Sequence, residues 1–347
     1  MWALRLSSAA HHKKRVWSWS GYIASSVSLI LYLVYSKLEM RASDIEQKAL
    51  STIEMKGDLN NTRRSENQAA VVFHLIQRVG SKMLTQFITA LSKKRHFKIH
   101  TEPLFSEEAE ETLGQDFEEA TIKQIAAYKM ATVHAQELPV LDYHKYKTKQ
   151  PIMASIIRDP VERLISWFYF ARSPWNFVGR YKNDPKVGLP TIDWVVQDYE
   201  NCVIAGEPEC SYIPGSSLPR TAFWRQSIYF CNWGDEDCTP FNGEHALQEA
   251  KRNVDAKFAV VGILEDMDTS VQVLEAYIPR FFKGGAALWE DKKDVFRKIN
   301  QNWHKRKVSQ PIRDLVIRNL TNEIEFYEFC KQRLYRQKAL LYDRETL

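Results

Sequence analysis

Residues 17–36, WSWSGYIASSVSLILYLVYS, run twenty positions without a charge. As a helix rising 1.5 Å per residue, that run matches a hydrocarbon core of about 30 Å. Trp17 and Trp19 at one end, and Tyr32 and Tyr35 near the other, suit the two membrane interfaces. Residues 37–68 are polar, lack a sustained apolar period, and read as a stem. From residue 69 the texture changes. AAVVFHLI (69–76) is a short β-rich run, QRVGS follows, and then Met83, Leu84, Phe87, Ile88 and Leu91 recur at helical spacing. PIMASIIRDPVERLISWFYFAR (151–172) repeats that order, with Asp159 as N-cap and Pro160 at the first helical position. KFAVVGILEDMDTSVQVLEAYIPRFF (257–282) repeats it again. Strands alternating with helices predict a parallel sheet in a three-layer α/β domain, here a single domain over 69–340.

Charge adds an orientation. Residues 1–16 hold Arg5, Lys13, Lys14 and Arg15 and no acid, so most of the net +5 sits in this tail. The basic excess therefore gives no reason to expect a nucleic-acid partner. HHKKR (11–15) just before the apolar run places the N-terminus in the cytosol by the positive-inside rule. No small-x-small cleavage site follows, which favours an uncleaved signal anchor over a removed signal peptide. Residues 37–347 then face the secretory lumen, as a single-pass type II protein. Asn60-Asn61-Thr62 and Asn319-Leu320-Thr321 are glycosylation sequons suited to that side.

In an oxidising lumen the five cysteines matter. Cys202, Cys210, Cys231 and Cys238 form two short loops that invite local bridges, but four cysteines allow three connectivities. A zinc site is disfavoured by spacing that is not C-x₂-C and by the lack of paired histidines. Cys330, in EFYEFCKQR, reads as a buried thiol. Two charged stretches stand out. Residues 101–122 carry eight acids and no base, and KKDVFRKINQNWHKRK (292–307) carries seven Lys or Arg. The first reads as a solvated face; Phe296 and Trp303 tilt the second towards an ordered anionic site.

The strand–turn–helix at 69–91 is a phosphate cradle in outline. Gly80 lets the backbone approach a ligand, and the following amides sit at a helix N-terminus. Gly80-Ser81-Lys82 is not the order of a nucleoside-triphosphatase loop, and no metal-binding acid follows a later strand, which speaks against a kinase. Arg78 supplies the cation instead. Arg158 stands at the C-terminal end of a strand, where open α/β sheets bind ligands, although it could simply pair with Glu162.

With VVFHLIQRVGS, IIRDPVERLISWFYF and a basic FRKIN segment behind an N-terminal anchor, the chain resembles Golgi sulfotransferases. More narrowly, it is similar to the heparan sulfate 2-O-sulfotransferase and uronyl 2-sulfotransferase family. VLEAYIPRFF and RNLTNEIEFYEFCKQRLY look like that family's insect dorsoventral-patterning branch, Pipe. The resemblance, over roughly 70–338, implies a sulfotransferase fold and 3′-phosphoadenosine 5′-phosphosulfate as donor, with no metal. It implies a glycan or glycoprotein acceptor, residence in the Golgi membrane, and homo-oligomers.

Residue by residue, the resemblance makes Arg78, Val79, Gly80, Ser81 and Lys82 the 5′-phosphosulfate loop. Arg158 and Ser166 become 3′-phosphate ligands, and Arg297 and Lys298 the basic loop closing over the nucleotide. It implies two local disulfides among Cys202, Cys210, Cys231 and Cys238. A histidine is a natural base near neutral pH, and the family's stands just after a strand; His134 is the candidate here. This chain departs from the family pattern in places. Gln77 and Arg78 replace a Pro-Lys pair, so the loop's cation cannot give up a proton to the leaving group. Thr132 stands where heparan-acting members have a second histidine. Three extra residues separate His134 from Leu141-Asp142. The acidic 101–122 stretch would repel a polysulfated acceptor, so heparan is a poor candidate. The chain ends short of a tail that heparan-acting members use for trimer contacts. The changed loop also admits an inactive paralogue that only binds nucleotide or glycan.

Overall fold

A computed structural model describes residues 32–41, 70–101, 115–216, 225–232, 235–299, 301 and 304–345. The chain divides into Met1–Asn60 and Asn61–Leu347. In the first unit, helix α1 covers 32–41 with mostly exposed side chains. No helix among the described residues is long and apolar enough to cross a membrane; residues 17–31 of the expected span, and Asn60, lie outside them.

The second unit is built on five strands: β1 (Ala70–His74), β2 (Lys98–Thr101), β3 (Thr132–Gln136), β4 (Ile152–Ile157) and β5 (Phe258–Ile263). All pair in parallel, in the order β2-β3-β1-β4-β5. Among the described residues twelve α-helices accompany them: α2 (Ser81–Arg95), α3 (Gln115–Ala126), α4 (Pro160–Ala171), α5 (Pro174–Asn183), α6 (Ile192–Val196), α7 (Tyr199–Ala205), α8 (Glu244–Lys257), α9 (Met267–Tyr277), α10 (Pro279–Phe282), α11 (Gly285–Lys298), α12 (Gln310–Arg318) and α13 (Thr321–Glu345).

The three strand–turn–helix units expected from the pattern are β1–α2, β4–α4 and β5–α9. Five apolar side chains of α2, Met83, Leu84, Phe87, Ile88 and Leu91, are all buried. Phe87 meets Trp289 and Phe296 edge-on, with ring centres 6.1 and 5.7 Å away. Phe296 is therefore core, which corrects its reading as part of an anionic site; Trp303 lies outside the described residues. On the opposite face, Ala70 and Val72 pack with Ile122 and Ile125 of α3. Helices on both faces explain why β3, β1, β4 and β5 are buried along their whole length.

Part of the acidic stretch has a structural task. Glu118 of α3 accepts from the Asp142 backbone N–H at 2.9 Å and pairs with Lys145 Nζ at 3.3 Å, tying the 142–146 turn to the helix. Residues 102–114 lie outside the description. The cysteines join as Cys202–Cys210 and Cys231–Cys238. Cys330 is a free, buried thiol, and burial raises its pKa.

Candidate active site

In this strand order the chain leaves β1 towards β2 and leaves β4 towards β5, in opposite directions. The crevice between the carboxyl ends of β1 and β4 is where such sheets bind ligands. Two loops meet there: Leu75–Gly80, entering α2, and Arg158-Asp159, entering α4.

The first loop is bent by two left-handed residues, Arg78 (φ 64°) and Gly80 (φ 81°). A Cβ at Gly80 would stand 3.2 Å from Leu264 Cδ1, so a side chain there meets both backbone strain and a close neighbour. Ser81 Oγ donates to the Ile76 carbonyl at 2.8 Å and closes the turn. Helix α2 has no side-chain cap and no acid in its first turn. Its leading amides and the positive end of its dipole thus remain available for an anion.

Arginines surround that helix end. Arg78 directs Nε and Nη2 to Ser166 Oγ at 3.2 and 3.0 Å, and its guanidinium lies 4.1 Å from the Phe170 ring centre. Burial, followed by repulsion from Arg158 and Arg163, lowers the Arg78 pKa to about 10. It remains a cation at neutral pH, in a setting that an anionic ligand would relieve. Arg158 donates through Nη1 to the Arg78 carbonyl at 3.1 Å and through Nη2 to Glu162 at 3.4 Å. Its Nε is buried with no hydrogen-bond partner among the described residues, standing 3.7 Å from Glu265. Arg163, fully buried, supports the loop from below by donating to the Gln77 carbonyl at 3.1 Å.

Of the residues proposed from sequence, the structure gathers Arg78, Val79, Gly80, Ser81, Arg158 and Ser166 at this crevice. Lys82 is exposed in the first turn of α2. Arg297 and Lys298 end α11 and are exposed; Arg297 reaches Asp268 of α9 at 3.5 Å. Glu162 does pair with Arg158, and it also accepts from Lys305 and Arg313. Burial opposes ionisation of Glu162, but hydrogen bonds from Arg313 and Lys305 outweigh it and hold its pKa at about 2. Sequence reading missed Arg163 and Arg313, and took Lys305 only as one charge in a basic run. The signal for Arg163 was present: it interrupts the buried face of α4 between Val161 and Leu164.

His134 is a correction. Expected just past a strand, it lies in the middle of β3, fully buried. Its ring stacks on His100 with centres 4.9 Å apart. Nε2 meets Gln136 Oε1 at 2.7 Å, and Nδ1 meets the Tyr128 hydroxyl at 2.8 Å. With Gln136 Oε1 accepting, the Tyr128 hydroxyl takes the ring's single lone pair. The site has no open imidazole at this position. Asn319, at the end of α12, directs its side-chain amide to the Ser211 carbonyl at 3.4 Å.

A parallel α/β sheet with a glycine-bent loop, an uncapped helix end and clustered arginines is an arrangement suited to an anionic ligand. The Sulfotransferase family matches residues 61–330, and the chain belongs to that family. It is 32% identical over 86% of its length to the uronyl 2-sulfotransferase homolog pip of Drosophila melanogaster. It is 27% identical over 77% to uronyl 2-sulfotransferase of Homo sapiens. With heparan sulfate 2-O-sulfotransferase 1 of Gallus gallus the figures are 24% and 79%, the match covering 73% of that protein. The chain spans 59% of the Drosophila protein and 63% of the human uronyl enzyme.

Proposed function

We propose that this protein is a sulfotransferase that moves a sulfuryl group from 3′-phosphoadenosine 5′-phosphosulfate to a hydroxyl of a glycan or glycoprotein. The observation that carries this reading is the convergence of Arg78 and Arg158 on the uncapped N-terminus of α2. A donor with phosphates at both 3′ and 5′ positions needs two anion sites, and the two loops offer them side by side. The α2 amides and Arg78 would hold the 5′-phosphosulfate. Arg158, with its unpartnered Nε, and Ser166 would hold the 3′-phosphate. Arg297 and Lys298, on the helix reaching Asp268, would cover the nucleotide.

Transfer requires charge neutralisation where the phosphate leaves. It also requires a group that takes the acceptor's proton. Arg78 supplies the first. The human and chicken relatives are named as a uronyl 2-sulfotransferase and a heparan sulfate 2-O-sulfotransferase, so a sugar 2-hydroxyl is the favoured acceptor. In the proposed setting the chain is a type II protein of the Golgi membrane, with 17–36 as its anchor and 37–347 in the lumen. Protection of the bulk of the chain from protease in sealed microsomes is the corresponding check.

Donor recognition is tested by Arg158→Ala, which is expected to weaken binding of adenosine 3′,5′-bisphosphate by about 2–3 kcal/mol, the range for a charged hydrogen bond plus a stranded partner. Calorimetry on the folded variant reads this directly. Unchanged affinity would leave Arg158 as the structural partner of Glu162 alone.

A further inference from the structure

Three residues beyond His134, at the carboxyl end of β3, stands Glu137, a buried carboxylate that the sequence reading passed over. Its place is fixed from both sides. Leu75 N–H donates to the Gln136 carbonyl at 2.9 Å, and His74 Nδ1 meets the Leu138 carbonyl at 2.9 Å. These contacts hold residues 136–138 against the start of the phosphate loop. Tyr229 Oη donates to Glu137 Oε1, the Gln77 side chain hydrogen-bonds to the carboxylate, and Arg163 lies close by. Oε2 is buried without a hydrogen-bond partner among the described residues.

Strand order gives this placement meaning. β1 lies between β3 and β4. Arg158 and Ser166, after β4, flank the loop on one side, and Glu137, after β3, flanks it on the other. A donor lying across the loop with its 3′-phosphate on the β4 side directs its sulfuryl end towards β3. His134 is three strand residues deeper, about 10 Å from that end at roughly 3.3 Å per residue. We propose that Glu137 is the general base, its Oε2 taking the proton of the acceptor hydroxyl. In that step the acceptor O–H bond breaks and its proton passes to the carboxylate. The oxygen forms a bond to sulfur, and the bond from sulfur to the phosphate oxygen breaks, releasing adenosine 3′,5′-bisphosphate. The inference rests on the sulfotransferase reading.

Burial raises the Glu137 pKa to about 7, against the lowering effects of Tyr229, Gln77 and Arg163. A base with that value is half ionised at working pH, the condition for efficient proton transfer. The other titratable groups near it do not mimic this. Burial lowers His74 to about 4, burial lifts Tyr229 well above the usual range for a phenol, and Arg163 stays charged although burial lowers its pKa. Glu323 of α13 belongs to the Arg163 side of this network and accepts from the Gln226 backbone N–H at 2.8 Å.

The test is Glu137→Gln in the full chain, assayed with labelled donor and a uronic-acid-containing glycan alongside wild type. Turnover should fall by about 10²–10⁴, the usual worth of a general base, with bisphosphate affinity within about twofold of wild type. Wild-type turnover should decline with unit slope below about pH 7, and the residual activity of the variant should lack that limb. A variant that keeps turnover within about threefold overturns the proposal, and so does one that retains the limb or loses bisphosphate affinity in step with turnover. If the variant fails to fold, the wild-type profile decides: a turnover flat from about pH 5.5 to 8 overturns it, and the unit-slope limb supports it. Wild type that neither binds bisphosphate nor transfers sulfate removes the sulfotransferase reading itself.

Discussion

Arg78→Ala is expected to lower sulfuryl transfer by roughly 10²–10³, the loss typical when one preorganised donor to a developing negative charge is removed. The reason is local. Arg78 is the cation in the turn between β1 and α2, and its guanidinium is kept in place by Ser166 Oγ and the Phe170 face. As the bond from sulfur to the phosphate oxygen stretches, negative charge collects on that oxygen. In the proposed reaction a half-buried guanidinium would meet it with little solvent to reorganise. Arg78→Lys keeps the charge but gives up the planar fork that spans Ser166 and Phe170. It adds an ammonium able to release a proton to the leaving group, so turnover should be preserved or raised. Rates at saturating donor separate these effects from binding. Arg78→Ala with undiminished turnover would reduce Arg78 to a support for the Ser166 corner. Transfer that appears only in Arg78→Lys would identify the natural protein as an inactive paralogue that retains its binding site.

The second large effect is on stability. Glu162 is the shared anion of Arg158, Lys305 and Arg313, with its side chain 26% exposed. Glu162→Gln removes a charge partner from three cations, of which Arg158 keeps Glu265, and the expected cost is about 2–4 kcal/mol, below the full penalty for a buried pair because water reaches the cluster. Thermal melts at pH 6 should show a drop of about 5–10 °C. The pH dependence has a definite sign. The folded carboxyl has a pKa of about 2 against an ordinary 4.5, so the network's contribution is complete above about 4.5 and is lost as pH falls towards 2. The gap between wild type and Glu162→Gln should therefore close across that window. Equal melting temperatures at pH 6 would show that the cations are as well served by water.

Much of the candidate crevice's geometry was legible in the sequence because it rests on local rules. Asp159 accepts from the Glu162 backbone N–H at 2.8 Å and Pro160 opens α4, as their order predicts. A glycine between a β-branched run and an amphipathic helix marked the bent turn between β1 and α2. Both loops then met because parallel strands carry their carboxyl ends to one edge. What stayed hidden depends on long-range pairing. Glu162 and its partners Lys305 and Arg313 are 143 and 151 positions apart, beyond any periodicity. β3 was passed over for a different reason. Thr132, His134 and Gln136 alternate with Val133 and Ala135, which reads as a polar face for solvent. The structure covers that face with α3, and His134 and Gln136 satisfy each other in place of water. A histidine that looked available at a strand end is thus inside the strand. The carboxylate at the end went unnoticed because a lone Glu before Leu-Pro carries no motif.

The account stands or falls on sulfuryl transfer itself. Incubating the purified full chain with radiolabelled donor, and with a panel of uronic-acid-containing glycans and secreted glycoproteins, measures it directly. The expected result is label on at least one acceptor, dependent on the protein and abolished by excess adenosine 3′,5′-bisphosphate. No label on any acceptor, from a folded chain that binds the bisphosphate, would contradict catalysis and leave a nucleotide-binding relic.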